Sequence, residues 1–105
     1  MNTEQLQLFF EERGFNVFLT EQHGVQCAEV ESWTDGGVDM IIWLNPFTKE
    51  EFLSYVQDFD VDEAIENERN DKKYSAAFTI RQSVADFEAY NKELETVAET
   101  LGNLV

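Results

Sequence analysis

Two short turn sequences constrain the fold of this chain more than any other feature. They occupy residues 21–24 and 34–37, contain one and two glycines, and separate three β-rich runs at residues 15–20, 25–32 and 38–44. Turns of this length are typical of hairpins. They leave too little chain for a crossover between parallel strands. The sequence therefore predicts a three-stranded antiparallel meander.

Helical patterns flank the predicted strands on both sides. Before them, apolar residues recur at helical spacing between Asn2 and Gly14, which indicates a first helix. After them, Thr48 followed by Glu51 has the spacing of a capping box and predicts the start of a second helix. The core stripe of that second helix is expected to be Phe52, Tyr55, Val56 and Phe59.

Two more helices are predicted in the second half of the chain. A short acidic helix follows from Val61, and a last helix covers residues 83–101, with Ser83 and Asp86 as its capping box. The run 72–80 has no clear period, which is compatible with a loop or an extra edge strand. The core stripe of the last helix is Val84, Phe87, Tyr90, Leu94, Val97, Ala98 and Leu101.

The element order αβββααα defines the expected fold class. The chain has 105 residues, of which 43% are hydrophobic, and includes nine Phe, three Tyr and two Trp. This is enough apolar material for one core. We expect a single α+β domain over residues 1–105, in which the three-stranded antiparallel β-meander packs with about four helices.

Charge bears most directly on function. The chain carries 22 Asp and Glu against 7 Lys and Arg, a formal net charge of -15. A surface with this excess repels nucleic acid and anionic membranes, and it raises the rate of encounter with basic proteins. We expect a basic partner, with no direct binding to nucleic acid or membrane. The predicted partner-binding residues are Glu50, Glu51, Asp58, Asp60, Asp62, Glu63, Glu66, Glu68 and Asp71.

The sequence leaves two explanations for this acidic cluster. It is either a solubilising surface, partly neutralised by Arg69 and Lys72, or a binding surface. Asp62 and Glu66 lie four residues apart, where like charges cost a helix a few tenths of a kcal/mol. Helical neighbours about 5 to 6 Å apart also resemble successive phosphates in their spacing. The favoured hypothesis is a nucleic-acid mimic that inhibits a basic DNA- or RNA-binding protein.

The third predicted strand has apolar side chains on both faces. Positions from Val38 to Leu44 alternate, so that Ile41 and Trp43 face away from the core, with Phe18 of the first strand beside them. Packing under a helix is the commoner fate of such residues and is expected here. The alternative is an apolar interface of a homodimer or a complex, in which the chain has a structural or adaptor role.

No set of residues has the specificity of a catalytic or metal motif. His23 lies in a predicted turn without a nucleophile at a suitable spacing, and Cys27 lies in a predicted strand among acidic neighbours. The run from Asp58 to Asp62 resembles the first half of a calcium loop, but Glu63 stands where such a loop needs glycine. We expect a protein that is not an enzyme and uses no cofactor or metal.

Trp33 and Trp43 leave a third alternative, a small ligand binder or enzyme with these rings as pocket walls. The expected location is cytoplasmic for three reasons. Cys27 is the only cysteine, residues 1–10 have no signal-peptide pattern, and no stretch approaches the ~20 apolar residues of a membrane span.

Two stretches, from Trp33 to Trp43 and from Phe78 to Phe87, resemble small uncharacterised acidic bacterial proteins. That resemblance implies a folded bacterial domain. In size, acidity and aromatic content the chain is also similar to DNA-mimic inhibitors of the anti-restriction and anti-CRISPR type. This second resemblance, which is compositional, implies inhibition of a protein that binds nucleic acid.

Overall fold

The computed structural model describes the backbone of residues 1–71 and 80–104 and the side chains of residues 1–67 and 84–104. The predicted α+β class and the order αβββααα are confirmed. Of the run 72–80, for which the sequence is compatible with a loop or an extra edge strand, residues 72–79 lie outside the described residues and Ile80 begins α4. The elements are α1 (Thr3–Glu11), β1 (Asn16–Gln22), β2 (Val25–Trp33), β3 (Asp39–Leu44), α2 (Lys49–Asp58), α3 (Val61–Asp71) and α4 (Ile80–Gly102).

The sheet is an antiparallel meander with strand order β1-β2-β3. The first hairpin turns on two residues, His23 and Gly24, whose φ angles of 52° and 78° are both in the left-handed region. Two-residue hairpin turns require this conformation because it matches the twist of the strands. In the second turn, Thr34 is buried and its Oγ1 accepts a hydrogen bond of 3.0 Å from the Val38 N–H.

The main core lies on one face of the sheet, beneath α1, α2 and α4. Ala28, Val30, Ile42 and Leu44 supply the buried side chains of β2 and β3 on this inner face. Phe10 of α1 is fully buried at the centre of an aromatic group. Its ring packs edge-on against Phe9, Phe15 and Phe52, with centroids 5.5, 5.6 and 4.8 Å away.

A smaller apolar cluster fixes the position of the acidic helix α3. Val38, Ile65 and Phe87 form it, so it joins the start of β3 to α3 and α4. A hydrogen bond reinforces this corner, since Oδ1 of Asp86 accepts from the Gly36 N–H at 2.8 Å. The helix α3 is therefore held against α4 and the turn before β3, while α2 packs on the main core through Phe52 and Val56.

The start of α4 differs from the prediction. The helix begins at Ile80, so Ser83 lies within its first turns and is not its N-cap. The other member of the predicted capping box, Asp86, accepts from the backbone of the turn before β3. The three-residue spacing of Ser83 and Asp86 could not reveal this hydrogen bond, because its donor, the Gly36 N–H, lies 50 residues away in the chain.

The expectation that a helix covers the second apolar face of the sheet is wrong. Phe18, Ile41 and Trp43 are 53%, 54% and 43% exposed. The physical reason lies on the central strand, where Glu29 and Glu31 occupy the same face as these residues. Burying two carboxylates without basic partners costs more than the apolar neighbours would gain. The helices pack on the inner face, where β2 has no charged residue.

Candidate functional site

Two helix starts bring the predicted acidic residues together. Thr48 caps α2 by accepting from the Glu51 N–H at 3.2 Å. Asp60 caps α3, because its Oδ1 accepts from the N–H groups of Asp62 and Glu63 at 2.9 and 3.2 Å. Asp60 is thus engaged as a helix cap and not as part of a calcium loop. The two helices follow each other after a two-residue connection, Phe59 and Asp60, and carry their acids to one region of the surface.

Seven of the nine predicted acids have described side chains, and all seven are exposed. We call this set the acidic face. The side chains of Glu68 and Asp71 lie outside the described residues, as do those of Arg69 and Lys72, whose neutralising role stays a prediction. The acidic face consists of Glu50, Glu51, Asp58, Asp60, Asp62, Glu63 and Glu66.

A cleft of about 440 Å³ separates β3 from α2 and α3. Three aromatic residues, Trp43, Tyr55 and Phe59, and four members of the acidic face line it. Met40, Leu44, Ser54, Ala64 and Asn67 complete the described lining, which includes no basic side chain. Glu50, Asp62 and Glu66 lie outside the cleft. The lining acids are Glu51, Asp58, Asp60 and Glu63.

The aromatic wall of the cleft is continuous with the core. Phe59 packs against Tyr55 on one side and against Tyr90 on the other, with ring centroids 6.1 and 5.9 Å away. Tyr90 is buried, and its hydroxyl lies 3.0 Å from Oγ of Ser32. Burial raises the pKa of Tyr90 to about 12 and also raises the pKa of Tyr55. Both phenols are therefore neutral at physiological pH, and the negative charge of the cleft belongs to its carboxylates.

The basic side chains that the structure describes are mostly occupied elsewhere. Arg13 donates to the carbonyl oxygen of Phe9 at 2.9 Å and stacks 3.7 Å above the Phe9 ring. Lys49 Nζ donates to the carbonyl oxygen of Leu104 at 2.9 Å. Lys92 is exposed on α4. None of these three lines the cleft.

A groove, distinct from the cleft, crosses the uncovered face of the sheet. We define the outer face as Phe18, Glu29, Glu31, Ile41 and Trp43. Strand register aligns Phe18, Glu29 and Trp43 in one row, and Asn16, Glu31 and Ile41 in the next. A groove of about 530 Å³ runs along the first row. Trp43 lines both this groove and the cleft, so the acidic face and the outer face meet at its ring.

The other sequence candidates line neither the cleft nor the groove. His23 is exposed in the first hairpin turn, and Cys27 is buried with its Sγ 3.4 Å from the carbonyl oxygen of Val25. Trp33 is exposed but lines neither the cleft nor the groove that Trp43 lines. Among the residues whose side chains are described, no three His, Cys, Asp or Glu are arranged to hold a metal ion.

Sequence reasoning missed the cleft, although a signal was present. Tyr55 and Phe59 were assigned to the core stripe of α2, yet both are only partly buried and face the cleft. Glu51, Tyr55 and Asp58 recur at helical spacing, which places acids and rings on one side of the helix. Mixing of carboxylates and aromatic residues along a single stripe indicates a surface that is not fully buried.

Comparison with protein-family models, with curated proteins and with solved structures finds no match for this chain. In the described part of the chain, no helix combines the length and the apolar character that crossing a membrane requires. The features of the chain that bear on its function are therefore the geometry and charge of the two surfaces that meet at Trp43.

Proposed function

We propose that this protein is an interaction module whose acidic face binds a basic partner protein. The observation that carries the proposal is the composition of the cleft, where four carboxylates stand beside three aromatic rings and the described lining has no basic group. Carboxylates form charge-assisted hydrogen bonds with Lys and Arg, and aromatic faces attract the same cations. A cleft of this kind suits a basic side chain of a partner.

The proposed class of partner is a DNA- or RNA-binding protein, and the proposed effect is inhibition. Exposed carboxylates on α2 and α3 would meet the Lys and Arg side chains that otherwise contact phosphates. Occupation of the partner's nucleic-acid-binding surface by this protein excludes nucleic acid by steric and electrostatic competition. Because much of the interaction is between exposed charges, it should weaken strongly as salt screens them.

The test begins with capture of partners from the native host at low and high salt, followed by affinity measurements on the purified pair. In the test variant, Asp60 and Asp62 become Asn while Glu63 and Glu66 become Gln. Asn is itself a good N-cap, so Asp60→Asn should keep α3 intact. A matched control changes four exposed acids of α4 and alters net charge equally, through Glu88→Gln, Glu93→Gln, Glu95→Gln and Glu99→Gln.

The acidic-face variant should lose about tenfold or more in affinity at low salt, and the α4 control should lose much less. The nucleic acid that the partner normally binds should displace the wild-type protein. Equal losses in the two variants would mean that net charge alone drives association. Full affinity in the acidic-face variant would contradict the proposal.

A second candidate function is that of an adaptor or structural subunit that binds through the outer face. The exposure of Phe18, Ile41 and Trp43 on an otherwise well-packed domain favours it. In that case Trp43→Ala should reduce binding more than the four acidic substitutions, because buried aromatic residues dominate apolar interfaces. The same affinity series separates the two candidates.

A further inference from the structure

The outer face has an unusual distribution of side chains across its three strands. Its apolar members, Phe18 on β1 and Ile41 and Trp43 on β3, lie on the two edge strands. Its carboxylates, Glu29 and Glu31, lie on the central strand between them, whereas in the next pair on the same side of the sheet the order is reversed, with Trp33 on the central strand and Asp39 on β3. None of the three strands contains Lys or Arg. An occupant of the rows through Glu29 and Glu31 must therefore cover apolar surface at the sides and compensate negative charge in the middle.

The row formed by Phe18, Glu29 and Trp43 shows this arrangement in three directly paired residues. Directly paired residues of neighbouring strands have Cβ atoms about 4.5 to 5.5 Å apart, so the carboxylate stands between the two rings. The groove of about 530 Å³ follows this row. A Lys or Arg side chain fits its chemistry, because the aliphatic stem can pack between the rings while the charged group reaches Glu29.

A second copy of the chain is a poor occupant of the same face. In a two-fold dimer the interface repeats the same patch, so the central strands lie opposite each other. Glu29 and Glu31 of one copy would then be desolvated near those of the other, with no basic group on either strand set to compensate. The net charge of -15 on each copy adds to the repulsion. The charge pattern thus disfavours a homodimer at this face.

We propose that the outer face binds a segment of a heterologous partner protein in which a Lys or Arg stands between apolar side chains. The basic group binds Glu29, and the apolar groups pack on Phe18, Ile41 and Trp43. The inference rests on the proposed function in one respect, that the partner is basic. Since Trp43 also lines the cleft, a partner bound to the acidic face is positioned to continue onto the outer face.

Short synthetic peptides with neutral ends serve as probes. In the first, Lys alternates with Leu; in the second, Lys alternates with Ser at the same charge; in the third, Gln alternates with Leu at the same apolar content. Binding is followed by the amide and indole NMR signals of the full chain. We expect the Lys–Leu peptide to shift the signals of Glu29 and Trp43. It should bind at least several-fold more tightly than either of the others.

Glu29→Gln should weaken the Lys–Leu peptide by about tenfold, the usual effect of losing a hydrogen bond to a charged group. The matched control is Glu21→Gln, which removes another exposed charge of the sheet, from β1 on the side opposite to Phe18. Equal effects of the two substitutions, or equal affinities for the Lys–Leu and Lys–Ser peptides, would overturn the inference. Sedimentation should show a monomer; a dimer that Ile41→Ser dissociates would also overturn it.

The failures of the two proposals are distinguishable. If Glu29→Gln weakens the identified partner while the fourfold acidic-face variant does not, the outer face is the docking site and the acidic-face function is wrong. If the acidic-face variant loses the partner while Glu29→Gln and Trp43→Ala bind normally, the acidic face acts alone and the outer-face inference is wrong.

Discussion

The two faces of the sheet have nearly equal apolar content, but helices cover one face and leave the other exposed. Ile42 on the inner face is completely buried, whereas its neighbour Ile41 on the outer face is 54% exposed. The central strand explains the difference. Ala28, Val30 and Ser32 face inward, while Glu29 and Glu31 face outward. The apolar edges of a sheet do not decide which face is covered when the strand between them is charged.

The largest expected effect comes from this pair of isoleucines. Ile42→Ala should reduce the free energy of unfolding by about 2 to 5 kcal/mol, because it leaves a cavity in the core. Ile41→Ala should change it by no more than about 0.5 kcal/mol, as is usual for exposed positions. Urea denaturation of both variants measures the contrast. Similar losses would show that the outer face is covered in solution.

The same core extends to α4, where Leu94 is fully buried. Leu94→Ala should likewise cost about 2 to 5 kcal/mol. An unchanged denaturation midpoint would mean that the inner side of α4 is not packed as described. Together with Ile42→Ala, this variant tests whether the sheet and α4 belong to one core.

A smaller effect is expected from the buried phenol of Tyr90 above the inner face. Its pKa is raised to about 12, from the ordinary 10.0, chiefly by burial. Between these values the unfolded state loses the proton while the folded state keeps it, so stability falls as pH rises through that window. The full loss is about 2 to 3 kcal/mol.

Denaturation measured from pH 9 to about 12 should show this fall in the wild type and a shallower one in Tyr90→Phe. The variant has lower stability at neutral pH as well, since Oγ of Ser32 loses its partner. The quantity to compare between the two proteins is therefore the slope of the unfolding free energy against pH. An identical slope in the two proteins would contradict the burial of the hydroxyl.

The sequence was sufficient to predict the fold because its signals are local. Turns at His23 and Gly24 and at Gly36 and Gly37 restrict the strands to a meander, and helical stripes mark α2 and α4. The start of α4 could not be predicted, because Asp86 bonds to a backbone group far away in the chain. Local patterns carry no information about such partners.

The candidate site was predicted only in part. The acidic residues are visible as a cluster in sequence, and their exposure follows from their charge. Their meeting with Trp43 depends on how α2 and α3 dock beside β3. The main core positions α2 through Phe52 and Val56, and the small cluster that includes Ile65 positions α3. The prediction that a helix covers Ile41 and Trp43 is wrong. It rests on how often apolar residues are buried in proteins, and it does not take account of the carboxylates on the neighbouring strand.

The smallest expected effect on stability concerns the excess charge outside the core. Like-charge pairs at helical spacing, such as Asp62 with Glu66 and Glu95 with Glu99, each cost a few tenths of a kcal/mol. Screening several of them should add on the order of 1 kcal/mol, which raises Tm by roughly 4 to 8 °C in a domain of this size. Thermal unfolding across a sodium chloride series tests this. A Tm that drops on adding moderate salt would show that attractive ion pairs dominate.

The most direct test of the central claim, that the acidic face and Trp43 form one surface for a basic partner, is the association rate with the identified partner. Stopped-flow fluorescence in a Trp33→Phe background leaves Trp43 as the only Trp of this chain, and the signal of the free partner is subtracted. The rate should fall steeply with salt, and the fourfold acidic-face variant should associate about tenfold or more slowly at low salt, while the α4 control stays close to the wild type. Equal rates for all three proteins, or a Trp43 signal unchanged on binding, would contradict the account.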